Sequence, residues 1–253
     1  MELATAAWAD GRRPRLALVA RLASGRLADL ERVEAIRLRK LGEGDADRLA
    51  AALVPPSLPR VLAGGPRALA RVRQALAYAE KWDRRGTLPG ELAPWPEQAT
   101  LAPLLPAPTP VRFLDGSLGE GLSLLGPGAR LAWTPGLELQ PALAAVGLKG
   151  RRPAGYALAL QAGGALVVDA WLRVPLVLEG DLVLRGQGGR RTAPLAAFGD
   201  LAHPVLRPGE ALILTAPGVP PLPAGPGDRV QVQAPCGTLA AALEPEGTHP
   251  TLQ

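Results

Sequence analysis

Between Glu2 and Ala20 apolar and polar residues alternate weakly, and the turn pair Asp10-Gly11 interrupts them. That pattern predicts two strands joined by a tight turn. Leu27, Leu30, Val33, Leu38 and Leu41 then recur at near-helical spacing with Gly42 behind them, which predicts an amphipathic helix ending there. A second helix is expected to begin with Pro66 in its first turn, to bury Leu69, Val72, Leu76 and Ala79 on one face, and to stop at Gly86. Such stripes are core contacts, and no cofactor role is read into them. From Thr87 to Pro110 prolines recur at positions 89, 94, 96, 103, 106, 108 and 110, the composition of an extended connector.

Beyond the connector the helical period disappears. Short runs of Leu, Val and Ala punctuated by Gly and Pro follow at 130–133, 137–146, 155–161, 165–172, 182–184, 211–215 and 230–232. They read as strands of a closed or rolled sheet. The expected fold class is therefore mixed and mainly β. A small α+β amino-terminal module (1–96) and a Pro-rich linker (97–112) precede a β domain (113–253).

Composition sharpens this picture. The 30 Gly and 28 Pro argue against a helical bundle, and a hydrophobic fraction of 47% in 253 residues leaves ample material for a core. The formal net charge of +5 comes from scattered Arg, with only short clusters such as Arg12-Arg13-Pro14-Arg15 and Arg190-Arg191. Aromatic content of 4% gives few rings to stack on bases, so no nucleic-acid partner is expected. Abundant Arg, Ala, Leu and Pro with no Asn match a heat-adapted or GC-rich source, which explains the charge without a ligand. No apolar run is long enough to span a bilayer and the first residues lack an export signal, so no membrane partner is expected. The single cysteine, Cys236, permits no internal disulfide, and a cytoplasmic location is expected.

Isolated reactive side chains carry little. Cys236, between Pro235 and Gly237, has no basic neighbour and reads as a structural thiol. His203 and His249 share no ligand spacing, and His203 precedes Pro204 in an expected surface connector. Gly186-Gln187-Gly188-Gly189-Arg190-Arg191 lacks the Lys and Ser or Thr of a phosphate loop and reads as a flexible turn. Trp82, Trp95, Trp133 and Trp171 are expected to anchor the core or an interface, and an exposed Trp171 would point to dimerisation.

The sharpest pattern lies near the end of the chain. Leu206-Arg207-Pro208-Gly209-Glu210 leads into the run Ala211 to Gly218, followed by Pro226-Gly227-Asp228-Arg229-Val230-Gln231-Val232 and Cys236-Gly237-Thr238-Leu239. Each Pro-Gly pair makes a tight turn and each apolar run a buried strand. Upstream stand Leu114-Asp115-Gly116-Ser117, Gly126-Pro127-Gly128, the run Gly136 to Val146, and Gly155-Tyr156 followed by the run to Gln161. In this order the segments resemble the fumarylacetoacetate hydrolase family, with its paired Pro-Gly-Asp turns and its Glu-x-Glu strand. Met1 to Thr5 with Asp10-Gly11 is similar to the usual start of the long bacterial members.

The resemblance implies a carboxy-terminal β-roll, a homodimer formed through it, and a family that hydrolyses, isomerises or decarboxylates small dicarbonyl or oxo acids on Mg²⁺ or Ca²⁺. Such hard cations need several oxygen ligands, with carboxylates supplying the charge. Carried over residue by residue, the first ligand Asp matches Asp115, the Glu pair falls on Gln140 and Ala142, and the last Asp on Gln161. The water-activating His falls on Leu122 and the substrate-contacting Thr on Ala216. Asp115 is the surviving metal candidate, although Asp-Gly-Ser is also an ordinary turn. Gln140 and Gln161 are expected to face one another across adjacent strands.

Two functions stay open on this reading. One is a non-catalytic binding or partner subunit related to aromatic-compound catabolism, with no cofactor, standing beside an active paralogue or holding a small oxo acid. The other is retained chemistry on a small dicarbonyl or oxo acid, with Mg²⁺ or Ca²⁺.

Overall fold

The protein is described from a computed structural model covering all residues except 11–12, 106–108, 114, 150–152, 175–177, 199–205, 209, 217, 236 and 246–253. Cys236, His203 and His249 lie outside the described residues. Strand makes up 42% and helix 25%, so the molecule is mainly β.

Strands β1 (Glu2–Asp10) and β2 (Arg13–Arg21) form the expected hairpin, and β3 (Leu27–Asp29) folds back on β2. Helix α1 (Leu30–Lys40) starts where the buried Asp29 carboxylate accepts the Arg32 backbone N–H at 3.1 Å. This N-cap satisfies a donor that the first turn cannot. Leu41 closes the helix, and Gly42 behind it adopts φ 86°. Helix α2 (Ala46–Leu53) and the first part of α3 (Leu58–Arg84) have no counterpart in the sequence reading. The later part of α3 is the expected helix: Gly65, at φ 73°, breaks the coil, and Pro66 opens the segment that buries Leu69, Val72, Leu76 and Ala79.

The connector contributes β4 (Ala99–Leu101), paired to β1. There follow β5 (Val111–Phe113), β6 (Ser123–Leu125), β7 (Ala129–Trp133), β8 (Glu138–Gly147), β9 (Pro153–Ala162) and β10 (Ala165–Val168). Next come β11 (Leu172–Arg173), β12 (Asp181–Gly186), β13 (Gly189–Pro194) and β14 (Ala211–Thr215). The last are β15 (Leu222–Pro223), β16 (Arg229–Ala234) and β17 (Gly237–Pro245).

A large sheet runs β3-β2-β1-β11-β9-β8-β14-β5, with β4, β6, β10 and β15 attached to it. A second sheet runs β13-β12-β16-β17-β7. Strands from both sides of the proline-rich connector thus share one sheet through β11, which pairs with β1 and with β9.

The long β8–β9 ladder is buried on both faces, which explains its near-continuous apolar sequence. Ala142, Ala144, Val146, Ala157 and Ala159 join the core that also holds Val33 of α1 and Val72 and Leu76 of α3. Leu139, Leu143, Leu158 and Leu160 join a second core with Leu184, Val230, Val232 and Leu239 of the smaller sheet. The result is three layers, helices on sheet on sheet. Trp171 is 5% exposed, in a satellite core with Trp8 and under the Arg21 guanidinium 4.5 Å from its ring, so it offers no free interface.

Candidate functional site

In an antiparallel ladder, directly opposed residues share a face and their side chains are neighbours. Gln140 of β8 is opposed to Gln161 of β9, as expected, and Gln161 is in turn opposed to Leu166 of β10. One row further in, Ala142 lies between Ala159 of β9 and Thr215 of β14. Both glutamines are half-buried, and they line a cavity of about 410 Å³ together with Thr134, Leu137, Glu138 and Gly163. A neighbouring hollow of about 510 Å³ shares Thr134, Leu137 and Gly163 and adds Ser123 and Arg130.

The other carried-over positions lie elsewhere. Ala142 has no exposed surface and is sealed by its row and the helical core. Leu122 packs against that same core, filling with hydrocarbon the place where the resemblance puts a proton acceptor. Ala216 is buried in the second core, where its N–H donates to the Pro141 carbonyl at 3.3 Å. Asp115 is exposed in the turn after β5: its Oδ1 accepts the Ser117 N–H at 2.8 Å and the Ser117 hydroxyl at 2.6 Å. The hydroxyl first, and then the backbone N–H, hold its carboxyl below the usual aspartate range. Asp115 lines neither of these cavities.

Two polar residues at or beside the site escaped the sequence reading. Glu138 lies two positions before Gln140, so the alternation of a strand puts both side chains on one face and into one cavity. The Glu-x-Glu spacing of the family strand, continued one step toward the amino terminus from Gln140, reaches it. Thr215 shares the face of Ala142, but recognising it requires the β14–β8 register.

This donor set does not suit a hard divalent cation. Among the described residues no group of three or more His, Cys, Asp or Glu is placed to hold a metal. The cavity offers one carboxylate, Glu138, with two neutral amides and a hydroxyl. Mg²⁺ and Ca²⁺ require about six to eight oxygens and more charge than this. The arrangement is suited to hydrogen bonding a small polar molecule, with Glu138 and the amides as acceptors and the amides and Thr134 as donors.

The sequence matches no protein-family model and no curated protein. Solved structures do match in fold. Maleylpyruvate hydrolase from Sphingobium sp. SYK-6 superposes with a TM-score of 0.59 at 19% identity, covering 97% of this chain and 100% of that one. A probable 2-hydroxyhepta-2,4-diene-1,7-dioate isomerase from Mycobacterium abscessus gives 0.51 at 15% identity, covering 99% and 100%. A 2-keto-3-deoxyarabinonate dehydratase gives 0.53 at 12% identity, covering 97% and 99%. These are proteins of the fumarylacetoacetate hydrolase family, and the chain has their mainly β fold. Among the described residues no helix is long and apolar enough to cross a membrane.

Proposed function

We propose that this chain is a non-catalytic protein on the fumarylacetoacetate hydrolase fold, binding a small polar molecule or serving as a partner subunit in aromatic-compound catabolism. The observation that carries the reading is the opposed pair Gln140–Gln161 at a cavity whose next row inward is Ala142 and Ala159. Where the fold's chemistry calls for several carboxylates, these positions supply neutral amides and methyl groups. An oxo acid entering the cavity would meet the Glu138 carboxylate, with no cation among the lining residues to offset it. The resemblance supports a homodimer and the single cysteine a cytoplasmic location, and light scattering on the purified chain checks the stoichiometry.

Calorimetric titration with Mg²⁺, Mn²⁺ and Ca²⁺ tests the central claim. The wild-type protein should show no stoichiometric site tighter than about millimolar. Gln140→Glu combined with Gln161→Asp, which gathers three carboxylates with Glu138, should gain one. A tight wild-type site would sink the proposal.

Glu138 favours the second reading, retained chemistry, because it leaves one carboxylate at the cavity. On that reading slow turnover of an acylpyruvate or oxaloacetate would fall in Glu138→Gln or Asp115→Ala. Equal rates in wild type and both variants would remove it.

A further inference from the structure

The outward face of the five-stranded sheet holds charge that the fold leaves unbalanced. Arg185 of β12 and Arg190 of β13 are directly opposed in their ladder. Arg185 is also opposed to Gln231 of β16, so Arg229, two residues before Gln231, lies on the same face. Directly opposed side chains stand about 5 Å apart at Cβ and diagonal ones about 7–8 Å. All three arginines are exposed, and none has an ion-pair partner among the described residues. Like charges so placed weaken a ladder, and an incoming anion would relieve that repulsion.

Three ionic groups nearby have contacts of their own. Asp228, just before β16, is fully buried, and its Oδ1 accepts the Gln187 N–H at 2.8 Å. That bond ties down the Gln187-Gly188 turn, so the glycine-rich stretch is a braced hairpin tip. Glu244 is held by Arg130 at 2.9 Å. Arg191 takes no part in the patch, since its guanidinium donates to the carbonyls of Pro220 and Pro221 at 3.2 and 3.5 Å. Elsewhere the face is mainly small and uncharged, with Thr192, Gln231, Gln233, Thr238 and Ala240 exposed, and its exposed acid on β12, Asp181, stands four residues along the strand from Arg185, about 13 Å away.

We propose that this face docks an acidic protein surface, whose carboxylates receive the guanidiniums of Arg185, Arg190 and Arg229. Small ligands favour concave sites, and this surface is an open sheet. Single-stranded nucleic acid calls for stacking rings, and no aromatic residue occupies an exposed position on these strands. Three cations also give fewer phosphate contacts than duplex binders make. A second copy of the chain is disfavoured because a two-fold interface centred on the patch would set arginine against arginine. Arginine is enriched, and Asp and Glu depleted, where proteins meet, and polar side chains make up the rim of such contacts. The inference is independent of the cavity and its ligand.

Fluorescence anisotropy with labelled poly-L-glutamate and with a duplex DNA of matched charge tests it. Wild type should bind poly-L-glutamate, more weakly as salt rises. The double reversal Arg185→Glu with Arg190→Glu should weaken binding about tenfold or more. Arg67→Glu with Arg73→Glu, on exposed positions of α3, changes net charge equally and should leave binding near wild type. Thermal melting reports whether each variant is folded, and Arg185→Gln with Arg190→Gln replaces the reversal if it is not. Equal loss in both reversal pairs, tighter binding of the DNA, or no wild-type binding at low salt would overturn the proposal.

Discussion

Asp115 shows how an exposed carboxylate can be fixed without a metal. Its two contacts from Ser117 are stronger to the ionised than to the protonated carboxyl, so its folded pKa lies below the unfolded one. A depressed carboxyl contributes stability above the ordinary aspartate range and loses it as pH falls through the folded value. Following the carboxyl by NMR titration should show it below an ordinary aspartate, and Ser117→Ala should move it back up. Ala142 presents the opposite case. A glutamate there would place an unpaired charge in a site with no exposed surface, costing about 3 kcal/mol or more in a urea melt. Gln140→Glu, on the half-buried rim, should cost about 1 kcal/mol or less in the same assay. The alanine rows have closed around the inner position while the outer one remains open, so restoring charge is easy at one ligand position and hard at the next. At this scale the opposition of Gln140 and Gln161 was legible only through the resemblance, which supplied the pairing of their two strands. The opposition of Arg185 and Arg190 was not legible, because it depends on a hairpin register that no local pattern announces.

At the scale of elements, the break in α3 is the sharpest case. Gly65 sits at positive φ, and a Cβ there would meet the Cβ and carbonyl oxygen of Lys149 at 3.2 Å. Gly65→Ala should therefore cost about 1–2 kcal/mol, measured by chemical denaturation followed by circular dichroism. Pro66 was readable as a helix start because its ring suits a first turn. The segment before it was not, since Pro59 and Gly64-Gly65 depress helix propensity. Burial of Leu58, Val61 and Leu62 supplies what propensity lacks. Strand β13 was missed for the converse reason, and of β17 only the start, Gly237 to Leu239, was read. β13 has little apolar content and β17 is rich in Ala and Leu, so each becomes a strand through its partners, β12 for one and β16 with β7 for the other.

Across the whole molecule, the seam at β11 matters most. Leu3 is opposed to Leu172, the Met1 carbonyl accepts the Val174 N–H at 2.9 Å, and Arg173, nearly buried, bridges Asp169 at 2.8 Å and Glu2 at 3.3 Å. Seven of the strands named above, β1 to β4 on one side and β11, β9 and β8 on the other, meet in one hydrogen-bonded surface across this seam. Covalent continuity through the prolines between is then a tether between surfaces that already recognise one another. Co-expressing residues 1–105 and 106–253 as separate polypeptides should yield a complex that co-purifies and melts cooperatively, whereas Arg173→Ala in the longer piece should let the two come apart. A bisected chain that reassembles in this way could serve as a reporter, its halves fused to two other proteins whose encounter it would reveal.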